Sequence, residues 1–119
     1  MKERTASRGG PRIPVAVKGT LRLGEGPDPR VLPLVTRDLG AGGAQVSLAE
    51  PIPVGTRALL RLSIPAEKGQ PTALDLPCSV VRVDGTGPAE VGLAFLGTKA
   101  PVLETLKKFL FRARERSAR

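Results

Sequence analysis

The sequence predicts an all-β domain followed by one C-terminal helix, and three observations carry this prediction. Apolar residues alternate with polar ones in several short runs, which is the period of half-buried strands. Twelve prolines and fourteen glycines among 119 residues indicate many turns between those runs. Only near the C-terminus does the apolar spacing change to that of a helix. The length suits a single domain.

Six strands are expected along the chain, separated by turns rich in Gly and Pro. A bend is expected at Gly19 in the first of them, because glycine weakens a strand interior. Two adjacent residues, Val80 and Val81, break the alternation of the fifth strand and predict a β-bulge there. The predicted strands cover residues 15–23, 31–37, 44–48, 60–64, 72–83 and 91–95.

The last segment is predicted to be an amphipathic helix with Thr98 as its N-cap. Its apolar face has two interpretations: it covers an open end of the β domain, or it docks a partner protein. Basic residues near its end complement the helix dipole and need no ligand to explain them. The apolar face consists of Val102, Leu103, Leu106, Phe109 and Leu110.

Composition excludes several classes of chemistry. The chain has no histidine and one cysteine, so it cannot build a Ser-His or Cys-His nucleophile pair or a Cys/His zinc site. We therefore expect neither an enzyme nor a metal site, and we expect Cys78 to be a small buried apolar residue. Three Phe without Trp or Tyr offer few rings for base stacking, which argues against specific nucleic-acid binding.

The net charge of +8 is concentrated at the two ends of the chain. Residues 1–12 are basic and rich in Gly and Pro, so they are predicted to form a flexible arm. No apolar run approaches the length of a membrane span, and no signal peptide is visible, which predicts a cytoplasmic protein without membrane insertion.

Two segments indicate a ligand site. Arg8 and Arg12 have an Arg-x-x-x-Arg spacing, and Asp38 is followed by three glycines, Gly40, Gly42 and Gly43. Glycines this dense between two strands predict a tight turn that something can approach closely. Three simpler interpretations remain open: a Gly-rich turn without a ligand, an Asp38 that only caps its own turn, and an arm that is only a basic tail.

An Arg-x-x-x-Arg segment, a strand, and Asp-x-Ser-x-x-Gly at the end of the second strand form the layout of PilZ domains. The chain resembles that family from about Arg8 to the C-terminal helix, with Gly40 where the family usually has serine. The resemblance implies a six-stranded antiparallel β-barrel over residues 13–97, followed by a helix and basic tail over 98–119. It also implies a receptor for the bacterial second messenger cyclic di-GMP, with the ligand bound by Arg8, Arg12, Asp38, Gly40 and Gly43.

The chemistry of these residues suits that ligand. Arginine can form a bidentate contact with the N7 and O6 edge of guanine, stack on its face, and pair with phosphate. Asp38 would accept hydrogen bonds from guanine or hold an arginine in place. Gly40 lacks the serine hydroxyl, and one lost hydrogen bond costs about 0.5–1.5 kcal/mol.

Three functions follow as hypotheses. In the first, the nucleotide orders the N-terminal arm against the barrel, and a partner protein recognises the new surface. In the second, the chain is a degenerate family member that has lost nucleotide binding and serves as an interaction module, for instance in motility or pilus assembly. In the third, the basic ends bind nucleic acid without specificity, with a steep salt dependence.

Overall fold

A computed structural model describes residues 12–24, 26–66 and 68–117. Within these ranges the chain forms seven strands and one helix. They are β1 (Arg12–Pro14), β2 (Lys18–Leu23), β3 (Arg30–Gly40), β4 (Gly43–Leu48), β5 (Arg57–Ile64), β6 (Thr72–Asp84), β7 (Ala89–Phe95) and α1 (Ala100–Ser117).

Six of the strands close into an antiparallel barrel, which confirms the predicted architecture. The sheet order is β1-β3-β2-β5-β6-β7-β4, and the additional pairing of β3 with β4 closes the ring. The short strand β1 is extra: it pairs with Asp38–Gly40, while β2 pairs with Arg30–Val35 of the same neighbour, β3. The long strand β3 is therefore covered along one side by two successive strands.

The core is aliphatic and is formed by the inward residues of each strand. The residues predicted to face inward in the third and fourth predicted strands are buried. They include Ala44, Val46, Leu60 and Leu62. Cys78 is also buried, at 1% exposure, as expected. With so few aromatic residues, the barrel interior depends on branched aliphatic side chains that interlock at high density.

The first predicted strand differs from the observed structure. Its first three residues, 15–17, form no strand and connect β1 to β2, which begins at Lys18. Gly19 lies inside β2, paired with both Leu34 and Leu62. A Cβ atom at this position would collide with the carbonyl of Arg61, so the glycine is required by close strand packing and not by a bend.

Thr36 joins β1 and β2 to the barrel across this interruption. Its hydroxyl donates to the carbonyl of Val15 at 2.6 Å and accepts from the amide of Val17 at 2.9 Å. Its own amide donates to the carbonyl of Val17 at 2.9 Å. Thr36 is 1% exposed and is the buried polar residue of the described core. One side chain thus satisfies the backbone groups that the interrupted ladder leaves open.

Two β-bulges shift the alternation of the barrel. The predicted bulge in β6 is confirmed, because the register with β7 shifts between Val80 and Arg82. A second bulge, which was not predicted, lies between Thr36 and Asp38 in β3. In each case two consecutive residues face outward, and the inward pattern resumes afterwards.

Helix α1 packs against β3 and β6. These strands are three positions apart in either direction around the six-stranded ring, so contact with both places the helix across one open end of the barrel. Leu106, Phe109 and Ala113 join the buried core. The helix begins at Ala100, and the carbonyl of Lys99 accepts from the amide of Leu103, so the start is later than the predicted Thr98 cap.

Burial raises the pKa of the Cys78 thiol from 9.0 to about 12. We therefore expect no reaction of the native protein with a thiol reagent at pH 8, and one reacting thiol per chain after unfolding in urea. The pKa of the Cys78 thiol is higher in the folded protein than in the unfolded protein. The contribution of this difference to the free energy of unfolding is therefore complete below pH 9 and is lost as the pH rises towards 12. Equal reaction rates in the native and unfolded states would contradict the assignment.

Candidate functional site

Arg12 and Asp38 meet on the outer surface where β1 lies along the end of β3. The register pairs Arg12 with Gly40 and Pro14 with Asp38, so the two charged side chains are diagonal neighbours. The Nη1 atom of Arg12 donates to Oδ1 of Asp38 at 3.2 Å. The side chains are 37% and 31% exposed, so the pair is open to a ligand from solvent.

The glycine-rich segment forms a tight hairpin under this arginine. Strand β3 ends at Gly40, β4 begins at Gly43, and the carbonyl of Gly42 accepts from the amide of Phe95 at 2.9 Å. A Cβ on Gly43 would collide with the carbonyl of Leu93 and lie 3.5 Å from Nη2 of Arg12. Gly43 is therefore closely approached by Leu93 and Arg12, and the predicted approach of a ligand to this residue stays a prediction.

The turn does not use left-handed glycine conformations. The described glycines with positive φ lie elsewhere in the chain, and none of the three in this hairpin is among them. Position 43 thus requires glycine because there is no room for a side chain, and not because the backbone adopts a conformation that only glycine favours.

The bulge in β3 explains why Asp38 faces outward. Regular alternation from the buried Thr36 would make the outward residue Arg37 and turn Asp38 inward. With one extra residue, Arg37 and Asp38 both face outward, and the next inward residue is Leu39, which is fully buried. The bulge therefore places two charged side chains side by side without burying either of them.

Glu90 on β7 forms hydrogen bonds with three polar side chains next to the Arg12–Asp38 pair. Its carboxylate accepts from Arg37 Nη1 at 3.1 Å, from Ser47 Oγ at 2.9 Å and from Gln45 Nε2 at 3.4 Å. Gln45 is also the cross-strand partner of Asp38. The polar surface thus continues from β1 across β3 and β4 to β7.

Arg82 extends the same surface from β6. Its Nη2 donates to Oε1 of Gln45 at 2.7 Å, although β7 lies between the two strands. The intervening residue is Gly92, which pairs with both Arg82 and Gln45. A Cβ on Gly92 would lie 3.3 Å from that of Arg82, so the missing side chain leaves room for the arginine to cross.

The arrangement of donors and acceptors is suited to binding a polar ligand. Guanidinium and amide donors stand beside two carboxylates on an open face, which matches phosphate oxygens and the polar edges of a purine. An exposed ion pair such as Arg12 with Asp38 is worth at most about 1 kcal/mol, so a ligand can replace it at little cost. Within the described ranges, no three metal-ligating side chains cluster.

Four of the five predicted site residues come together here: Arg12, Asp38, Gly40 and Gly43. Arg8 lies outside the described residues. Sequence reasoning missed Gln45, Arg82 and Glu90, which lie on three other strands. Their only sequence signal is that each occupies an outward position in an alternating strand, and many solvent-facing residues share that signal.

The one helix within the described residues, α1, is not both long and apolar enough to cross a membrane. A search of curated proteins found no significant match.

Comparison with solved structures shows the same fold. The chain is similar to the Bacillus subtilis inhibitor of motility MotI/DgrA, with a TM-score of 0.76, 17% identity, and coverage of 91% of this chain and 51% of that one. It is also similar to Escherichia coli YcgR in complex with c-di-GMP, with a TM-score of 0.68, 17% identity, and coverage of 90% and 46%. The chain thus spans about half the length of these two proteins.

A shorter relative matches over nearly its full length. The PilZ domain of CeSA from a cellulose-synthesizing bacterium has a TM-score of 0.61 at 20% identity, with coverage of 87% of this chain and 97% of that one. The family model described as the PilZ domain matches residues 4–112. Together with the closed barrel, the extra strand and the helix, this match shows that the chain belongs to the PilZ domain family.

Proposed function

We propose that the chain is a non-enzymatic receptor for cyclic di-GMP that passes the signal to a partner protein. The observation that carries this proposal is the Arg12 guanidinium, held 3.2 Å from Asp38 and directly above Gly43 on an open face of the barrel. Structures of YcgR in complex with c-di-GMP share this fold, which supports the choice of ligand.

The ligand carries two phosphates and two guanines, and the site offers a donor for each kind of group. Arg12 can leave Asp38 partly or wholly and contact guanine or phosphate. Asp38 can then accept from the N1–H and N2–H edge of guanine. Arg8 lies four residues before Arg12, so covalent geometry keeps their Cα atoms within about 14 Å. In this proposal Arg8 closes over the bound nucleotide.

Calorimetric titration with cyclic di-GMP tests the proposal. We expect a dissociation constant in the micromolar range or below, and much weaker binding of cyclic di-AMP, which lacks the guanine O6 acceptor and N2 donor. Titration in two salt concentrations separates this outcome from unspecific polyanion binding, which falls steeply with salt. No heat at millimolar ligand with a folded protein would refute the receptor function.

Gly40 gives the second candidate function its support. Without the serine hydroxyl, the chain is also consistent with a PilZ domain that binds only protein partners, for instance in motility or pilus assembly. Failure of the titration with an intact fold is the outcome that this alternative predicts.

Restoring the serine is expected to strengthen nucleotide binding. Gly40→Ser adds one hydroxyl at the end of β3, and a net hydrogen bond of about 0.5–1.5 kcal/mol corresponds to a two- to twelvefold gain in affinity. Gly40→Ala is the matched control, because it adds the Cβ atom without the hydroxyl. Affinities of the two variants that agree within error would show that this position does not contact the ligand.

A further inference from the structure

A groove of about 800 Å³ lies on the outer surface of the barrel, away from the Arg12–Asp38 pair. Its floor is formed by β5 and β6 and by the segment that follows β7, and its walls include the end of β2. In the closed ring, β5 is two strands from β3, and β6 is two strands from β4. The groove and the Arg12–Asp38 pair therefore lie on different sides of the barrel.

The floor of the groove is apolar and fixed by strand pairing. Leu59 pairs with Pro77, and the carbonyl of Pro77 accepts from the amide of Leu96 at 2.8 Å. Leu96 is 36% exposed, which is unusual for a leucine that follows a core strand directly. This floor is thus preformed, and a ligand would not have to order it.

Two arginines belong to the lining of the groove. Arg22 pairs with Leu59 across the β2–β5 ladder, and Arg57 pairs with Ser79 across the β5–β6 ladder. Four described arginines on the strands outside the groove, Arg12, Arg30, Arg37 and Arg61, each form an ion pair. Among the residues that the structure describes, no carboxylate pairs with Arg22 or Arg57.

The groove cannot be filled by strand addition, because β2, β5, β6 and β7 each pair on both sides. An occupant has to be held by its side chains. The basic chain ends of this protein are unsuited, since they would bring positive charge to two arginines. Charge complementarity and the apolar floor together require an acidic group next to apolar side chains.

We propose that this groove binds a segment of a partner protein in which one or two carboxylates flank a leucine-like side chain. The apolar side chain covers Leu59 and Leu96, and the carboxylates pair with Arg22 and Arg57. The inference goes beyond nucleotide binding: it assigns a surface and a chemistry to the protein partner, and it holds whether or not the nucleotide binds.

Selection from a display library of random dodecapeptides tests the proposal on the full chain without nucleotide. We expect the enriched peptides to combine Asp or Glu with adjacent Leu, Ile or Phe. A synthetic labelled copy of the most enriched peptide is then titrated by fluorescence anisotropy. The Arg22→Gln/Arg57→Gln variant is expected to bind it at least about tenfold more weakly, because two charge-assisted contacts are lost.

The matched control is Arg61→Gln/Arg114→Gln, which removes the same charge from two exposed arginines outside the groove and should keep the affinity within about twofold. NMR shifts on peptide addition should include the amides of Leu59 and Leu96. The proposal is overturned if the enriched peptides lack carboxylates, if nothing is enriched, or if both double variants lose binding equally. Binding of phosphatidylglycerol vesicles through the same arginines, without peptide binding, would overturn it in favour of a membrane surface.

A failure of peptide binding in the groove can be distinguished from a failure of the receptor function. Calorimetry of the Arg22→Gln/Arg57→Gln variant with cyclic di-GMP should match the unmodified chain, since neither arginine adjoins the Arg12–Asp38 pair.

Discussion

Replacing Arg12 with alanine is expected to weaken cyclic di-GMP binding by about 10- to 150-fold. A hydrogen bond to a charged group is worth about 1.5–3 kcal/mol, and Arg12 is the guanidinium that the structure holds over the glycine hairpin. Calorimetric titration of both proteins in one buffer measures the effect. Arg12→Lys should be intermediate, because lysine keeps the charge but cannot form a bidentate contact.

Arg61→Ala is the matched control. Arg61 is also an exposed, ion-paired arginine on a strand; it lies on β5, where its Nε and Nη2 atoms donate to Asp75 at 2.7 and 3.0 Å. The hydrogen bond from Arg61 holds the pKa of Asp75 below its ordinary value, so this pair stays ionised at neutral pH. Equal losses in the two alanine variants would indicate unspecific electrostatic binding, and an unchanged affinity of Arg12→Ala would remove Arg12 from the site.

Thr36→Val is expected to lower the free energy of unfolding by about 2–4 kcal/mol. Valine has nearly the same shape but no hydroxyl, so the amide of Val17 and the carbonyl of Val15 both lose their side-chain partner. An unsatisfied buried polar group costs about 1–3 kcal/mol, and the partly buried carbonyl of Val15 should lie at the low end of that range. Urea unfolding, with the midpoint and slope compared between variants, measures the change.

Thr36→Ser keeps the hydroxyl and removes only a buried methyl group, for about 1 kcal/mol. A Thr36→Val variant no less stable than Thr36→Ser would show that the two hydrogen bonds contribute little. Because the hydroxyl holds the residues that follow β1, we also expect Thr36→Val to weaken nucleotide binding through the position of Arg12.

Much of the fold follows from local patterns in the sequence. The alternation of Ala44, Val46 and Leu48 places them in the core, and all three are buried. The bulge in β6 was predicted because the inward apolar residues change phase after Val80, and Val83 does face inward. The prediction was wrong for Val81, which was placed inward and is 52% exposed. These features depend on neighbours in the chain, so the sequence shows them directly.

The features that were missed depend on residues far apart in the chain. In the sequence, Thr36 resembles a polar residue that faces solvent. Its role is visible only in the structure, where the carbonyl of Val15 and the amide of Val17 lie within hydrogen-bond distance of its hydroxyl. The bulge after Thr36 is hidden for the same reason, since Arg37 and Asp38 look like the polar end of a strand. Strand β1 has three residues, including a proline, which is too short for any periodic signal.

The motif residues of the proposed site were named from the sequence, but the polar residues around them were not. Arg12, Asp38 and Gly43 were named because their order along the chain matches a family layout, and the structure brings them together. The contacts of Gln45 with Arg82 and Glu90 arise only when β6, β7 and β4 lie side by side. Their positions in the sequence carry no trace of that proximity.

The bulge in β3 separates the evolution of the outer surface from that of the interior. Removing Arg37 alone would leave Thr36 and Leu39 inward and Asp38 outward, in ordinary alternation. Deletion of this one residue is therefore expected to remove a positive charge from the surface beside the hairpin while Thr36 and Leu39 keep their inward positions.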